Sequence, residues 1–132
     1  LPTPDFLNKT TVLKIYARQI EKFGGTLGIR DEGLLESALA QPQATFAGEL
    51  LHPTIHEQAA AYLYHLAMNH PFIDGNKRTA FAVMDTFLRL NGYSLNLTNE
   101  QAYDLVMQVA EGQMSKSDLA GCLEKAIALC NC

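Results

Sequence analysis

The sequence predicts an all-α bundle of about six helices, on three observations. Six segments carry apolar residues at helical spacing or nearly all round. Most of them open on a side chain able to cap a helix. No segment is rich in strand pattern, and there is no repeat or low-complexity tract. A chain of 132 residues is read as one domain, 1–132, long enough to bury a core.

Taken in order, residues 1–9 contain prolines and read as irregular, and the leading Leu1 points to processing or to a start further upstream. Thr10 or Thr11 can cap a first helix to about Phe23, with Val12, Ile15, Tyr16 and Ile20 on one stripe. Gly24-Gly25 stops it. The glycine-rich stretch 24–30 lacks the Lys-Ser/Thr ending of a P-loop and the full dinucleotide spacing, so it reads as a tight turn with Ile29 facing the core. Arg30 is a candidate partner for a carboxylate such as Glu36. Asp31 can cap a short helix, 32–40, closed by Pro42. Residues 41–53 hold two prolines and a glycine and show no helical period; an irregular stretch of that length is more often functional than neutral.

Thr54 and Glu57 fit a capping box for a helix to about Asn69, apolar nearly all round and therefore central. Tyr62, Tyr64 and Met68 read as core. A second helix of similar character follows Asn76, with Asp85 and Arg89 as an i,i+4 pair and Asn91-Gly92 as its end. These two helices are expected to pair and to hold the loop between them rigidly. Residues 93–97 alternate and read as extended. Thr98 with Gln101 is another capping box, for a helix to about Ala110, and Ser117 caps a last helix to about Leu129.

The composition narrows the function classes. A net charge of −4 argues against direct nucleic-acid binding, which favours a basic face, without excluding a local cationic pocket. No run approaches the ~18 apolar residues of a membrane span, and no signal peptide is visible. The three cysteines, Cys122, Cys130 and Cys132, show no metal-ligand spacing and read as free thiols in a reducing, cytoplasmic compartment. His52 and His56 have zinc-like spacing, but Pro53 disrupts the helix which that spacing needs.

The chemistry is concentrated at 70–80, His-Pro-Phe-Ile-Asp-Gly-Asn-Lys-Arg-Thr-Ala, a polar loop between two apolar segments. Pro71 and Gly75 break regular structure. Asn76 can cap the following helix, whose remaining first-turn N–H groups then suit phosphate oxygens. Lys77 and Arg78 add two positive charges where the helix dipole disfavours them, which a bound polyanion would relieve. Asp74 is a hard oxygen ligand suited to Mg²⁺, and His70 is the natural general base near neutral pH.

His70-Pro-Phe-Ile-Asp74-Gly-Asn76-Lys77-Arg78 resembles the HPFxxGN-x-R signature of the Fic/Doc family. Lys77 with Thr79-Ala80 resembles the ending of its Doc (death-on-curing) branch, as do the blocks 24–43 and 87–97, so that the resemblance covers about residues 6–125. It implies an all-α Fic fold that transfers part of a nucleoside triphosphate, such as ATP, to a target hydroxyl. His70 would be the base and Asp74 the Mg²⁺ ligand; Gly75, Asn76, Lys77 and Arg78 would cradle phosphates, with Phe72 a core anchor. The 41–53 stretch is similar in place to the family's flap, so Thr45, Phe46 and Glu49 would hold the target by main-chain pairing.

Two departures refine the expectation. Adenylylating members carry Gly at the place of Lys77 and a second Arg at that of Phe81. Doc-branch proteins share the change, which is associated with nucleotide bound in the reverse sense, phosphoryl transfer to elongation factor Tu, and arrest of translation. The inhibitory motif [ST]xxxE[GN] is absent, since Thr45…Glu49 is followed by Leu50; a separate antitoxin, folding a partly disordered segment onto this domain, is the expected inhibitor. An adenylyltransferase acting on another protein and a non-catalytic binding domain of the same fold are the alternatives.

Overall fold

Capping residues fix where most of the helices begin. The computed structural model describes residues 3–130. Its six helices are α1 (Lys9–Phe23), α2 (Glu32–Ala40), α3 (Ile55–Asn69), α4 (Asn76–Leu90), α5 (Asn99–Ala110) and α6 (Lys116–Ala126). The all-α expectation holds; the strands form only two short antiparallel pairs, β1 (Thr45–Phe46) with β2 (Glu49–Leu50) and β3 (Tyr93–Leu95) with β4 (Ile127–Leu129).

Asp31 caps α2 by accepting from Leu34 N, and Thr98 with Gln101 closes a full capping box on α5. Away from the start of α4, three expected caps are displaced or altered. Asn8, rather than Thr10 or Thr11, accepts from Thr11 N, so α1 begins at Lys9. Ser115, rather than Ser117, accepts from Asp118 N and starts α6. The Thr54 hydroxyl accepts from Glu57 N and donates to the Glu57 carboxylate, so that carboxylate folds onto the hydroxyl instead of completing the box on Thr54 N. The last helix also stops early. The extended segment 93–95 leaves backbone groups that need partners, and Ile127–Leu129 supplies them.

Buried α3 is the hub, packed against α2, α4, α5 and α6. Ala59, Ala60, Ala61, Tyr62 and Leu63 are all inaccessible, so small side chains let the neighbouring helices approach closely. Tyr62 is core as expected, and burial pushes its phenol up to about 12. Its hydroxyl accepts from Leu7 N at 2.9 Å, and Phe6 stacks on Phe87, so the irregular N-terminal segment is pinned to the core. Tyr64 is only partly buried and Met68 is exposed, because these two, four residues apart, share the outer face of α3 while Leu66 and Ala67 face the core.

The 41–53 stretch is more regular than its composition suggested. A 3-10 turn over Gln41–Gln43, with Pro42 buried, leads into the β1–β2 hairpin. Ala47 and Gly48 both have positive φ (53° and 83°), as the tight hairpin turn demands. Its C-terminal leg is tied down by the buried Gln58, whose Nε2 donates to His52 O at 2.9 Å. Cys122 is a free, exposed thiol, but Cys130 is in a disulfide, so the reading of three free thiols fails there; Cys132 and Leu1 lie outside the described residues. No helix among the described residues is long and apolar enough to cross a membrane.

Where α3 meets α6, Lys116 Nζ lies 3.1 Å from His65 Nε2 and 3.4 Å from His52 Nε2. Burial, reinforced by the Lys116 charge, pushes His65 down to about 4 and lowers His52 as well. His65 thus takes up its proton near 6.5 when unfolded but near 4 when folded. The unfolded chain binds more protons in that window, so stability is full above about pH 6.5 and falls as the pH drops toward 4. Thermal unfolding at stepped pH should show this slope, and His65→Gln should make it shallower. The difference should be less than the ~1.4 kcal/mol per pH unit of one full proton, because the ring is only half-buried.

Candidate functional site

The loop from His70 to Gly75 is held by a backbone clasp. Ile29 and Phe72 form an antiparallel bridge. Arg30 N and Asp31 N donate to Pro71 O at 2.7 and 3.1 Å, and Ile73 N donates to Gly28 O at 3.0 Å. The glycine-rich stretch is therefore a brace, shaped to the loop: a Cβ on Gly28 would come within 2.6 Å of Ile73 Cδ1. Tyr16 on α1 locks the brace from the other side. Its hydroxyl accepts from Gly28 N at 2.7 Å, and its ring stacks on Phe72 at 3.8 Å. Phe72 is fully buried, as a core anchor should be.

Asn76 does not cap α4. Its Oδ1 accepts from Phe72 N and its Nδ2 donates to Phe72 O, both at 2.9 Å, so both ends of the amide serve to close the loop. Gly75 takes the cap position with φ 74° and has no side chain to offer. The first turn of α4 is left without a side-chain cap, which keeps its N–H groups available to an anion.

His70 sits at the C-terminal end of α3 in the left-handed region (φ 48°, ψ 55°), a conformation that costs a non-glycine residue about 1–2 kcal/mol. Its Nδ1 lies 3.2 Å from Met68 O. A carbonyl can only accept, so in the neutral ring this contact favours the tautomer with its proton on Nδ1 and a lone pair on Nε2. Asp74 is anchored by Thr26 N, which donates to Oδ2 at 2.8 Å. Arg78 donates to Gly24 O at 3.1 Å and lies over the Phe23 ring at 5.3 Å, so its guanidinium is oriented from both sides.

These residues meet in a cavity of about 660 Å³. His70, Asp74, Gly75, Asn76, Lys77 and Arg78 are part of its lining, together with apolar side chains that include Phe23, Phe81, Tyr103 and Met107 and with the charged Lys22 and Asp85. Asp74 supplies one hard oxygen, and no group of three or more acidic, His or Cys ligands exists among the described residues. That donor set fits a Mg²⁺ arriving with phosphates and water, not a metal caged by the protein alone. The flap positions Thr45, Phe46 and Glu49 lie on the exposed hairpin and are not part of the cavity lining.

The sequence model of the Fic/DOC family matches residues 6–88, well over half of the chain. The chain belongs to the Fic/DOC family. It is 49% identical to Toxin Doc of Mycolicibacterium smegmatis over 90 residues, covering 67% of this chain and 69% of the relative. It is 34% identical to Protein kinase doc of Escherichia phage P1 over 114 residues, covering 86% and 89%.

Sequence reasoning missed two parts of this Fic/DOC site. Among the described residues Arg30 pairs with no carboxylate: it is exposed, with Nε 2.6 Å from His70 O and a terminal nitrogen 2.8 Å from Asn69 O. Glu36 pairs instead with Lys9, on α1. The α5 wall was also missed. Its signal was a second apolar set, Ala102, Tyr103, Val106 and Met107, making the stripe wider than one core-facing side requires.

The brace makes Gly75 testable. Gly75→Ala would hold a non-glycine residue at positive φ and bring Cβ to 3.0 Å from Ile20 Cδ1. Gly112 has nearly the same φ, 75°, with nothing within 4 Å. In urea unfolding, Gly112→Ala should lose about 1–2 kcal/mol, and Gly75→Ala should lose more.

Proposed function

We propose that this chain is the toxin of a toxin–antitoxin pair, acting as a protein kinase that moves the γ-phosphoryl group of ATP to a hydroxyl on a protein target, elongation factor Tu being the first to test. The observation that carries the reading is the shared cavity, lined both by a histidine whose Nδ1 rests against Met68 O and by a helix N-terminus bearing Lys77 and Arg78. The names of the two relatives, a toxin and a protein kinase, point the same way.

In this reading the phosphates lie over the first turn of α4, contacted by Gly75, the backbone of Asn76, and the Lys77 and Arg78 side chains. Asp74 would hold Mg²⁺, which neutralises charge on the phosphate oxygens. His70 Nε2 takes the proton of the target hydroxyl as its oxygen bonds to the γ-phosphorus; the bond to the β-phosphate oxygen breaks, and nucleoside diphosphate leaves. Phosphoryl transfer asks the protein mainly for positioning and charge neutralisation, which a braced loop supplies. Lys77 and Phe81, in place of the Gly and Arg of adenylylating members, favour this sense of transfer over AMP transfer. The exposed β1–β2 hairpin, with Thr45, Phe46 and Glu49, would hold the target segment. An antitoxin supplied in trans would inhibit it, and the cytoplasm would be its place of action.

The test is a paired labelling assay with Mg²⁺, elongation factor Tu, and ATP labelled at either the γ or the α position. Label from γ alone is expected, falling by roughly 10²- to 10⁴-fold in His70→Ala. Label from α would instead assign AMP transfer. No label from either position would overturn the choice of target.

A further inference from the structure

We propose that Arg30 is a positioning residue for His70, holding the peptide units on either side of it so that the imidazole keeps its Nδ1 proton on Met68 O and Nε2 stays free to take a proton. The proposal rests on the reading of His70 as the base. A helix leaves its last carbonyls without intrahelical partners. At the end of α3, two carbonyls in succession, those of Asn69 and His70, are taken by the one guanidinium of Arg30, at 2.8 and 2.6 Å. A planar, rigid fork reaching two successive carbonyls fixes the rotation of the peptides flanking the left-handed His70 as well as their position. Its charge also sits at the negative end of the α3 dipole.

The contact is separable from the fold. Arg30 is exposed, so its loss leaves no core void. The segment carrying it remains attached through the backbone bonds of residues 28–31 to Pro71 and Ile73. Asn69 keeps a second tie to α2, its Nδ2 donating to Leu34 O at 3.0 Å. What Arg30→Met removes is the fork and its charge, with the rest of the segment left in place. Arg30→Lys keeps the charge but, as a point donor on a flexible stem, cannot hold both carbonyls in one plane.

The experiment compares wild type, Arg30→Met and Arg30→Lys by long-range ¹H–¹⁵N NMR of the His70 ring, by steady-state transfer from ATP, and by thermal unfolding. Wild type should show a single Nδ1–H tautomer. Arg30→Met should show mixed tautomers and a kcat lower by on the order of 10- to 100-fold, with KM for ATP held; Arg30→Lys should fall between. The proposal is overturned if folded Arg30→Met keeps the wild-type tautomer, or if kcat falls only in step with the folded fraction. Should wild type transfer nothing from ATP, the choice of target fails by itself, and the tautomer comparison still decides the role of Arg30.

Discussion

The antiparallel clasp between residues 28–31 and 70–73 is the constraint on which the rest of the site depends. A chain passing from one buried helix to the next must find partners for its backbone groups without a regular ladder. Here the carbonyls of Gly28 and Pro71 and the amides of Arg30, Asp31 and Ile73 satisfy one another across a sequence separation of about forty residues. Once they are paired, the side chains between them have little freedom. Phe72 is driven into the core against Tyr16, Asn76 closes on Phe72, and His70 and Asp74 are left facing the cavity. The loop is polar and partly exposed, yet its geometry is set by the core beneath it.

The start of α4 shows how an acidic protein maintains a local cationic patch. Lys77 and Arg78 stand at the positive end of α4, an arrangement that costs roughly 0.3–1 kcal/mol for each charge. Arg78 offsets part of this through Gly24 O and the face of Phe23, both placed by the end of α1. Lys77 is exposed. The uncapped first turn and the two cations are each unfavourable alone and become favourable together when an anion is bound. A site that is locally at odds with helix preferences is a physical argument for a ligand, and it arises from sequence order alone, with Gly75 where a capping side chain would otherwise stand.

Much of this was legible in the sequence, and the failures have a common cause. The six helices, the central pair and the loop between them follow from apolar spacing and punctuation by Gly, Pro and capping residues, all local signals. The missed contacts are set by the folded path of the chain and not by residue type. Asn76 had one local role available, as a cap, and lost it to another, on Phe72 four residues earlier, whose amide and carbonyl come within reach only when the loop folds back. Arg30 was matched to Glu36 because opposite charges invite pairing; carbonyls at the end of a helix forty residues away leave no mark in composition. The final segment reads as helix until its tertiary partner, the strand at Tyr93–Leu95, is present to claim it.

The same physics separates the two ends of the proposed reaction. The nucleotide side is built on rigid elements: a braced loop, the start of α4 and the wall of α5. The hairpin is built differently. Pro42 and the bonds from Gln58 to His52 and from Leu51 to Ala44 fix its base, while its tip turns through two positive-φ residues and leaves Phe46 exposed. An edge strand fixed at its base and open along its length can accept another chain by backbone pairing without disturbing the phosphate site. In the proposed reaction, positioning of the transferred group would be strict, while recognition of the acceptor would depend mostly on main chain and tolerate variation in its side chains.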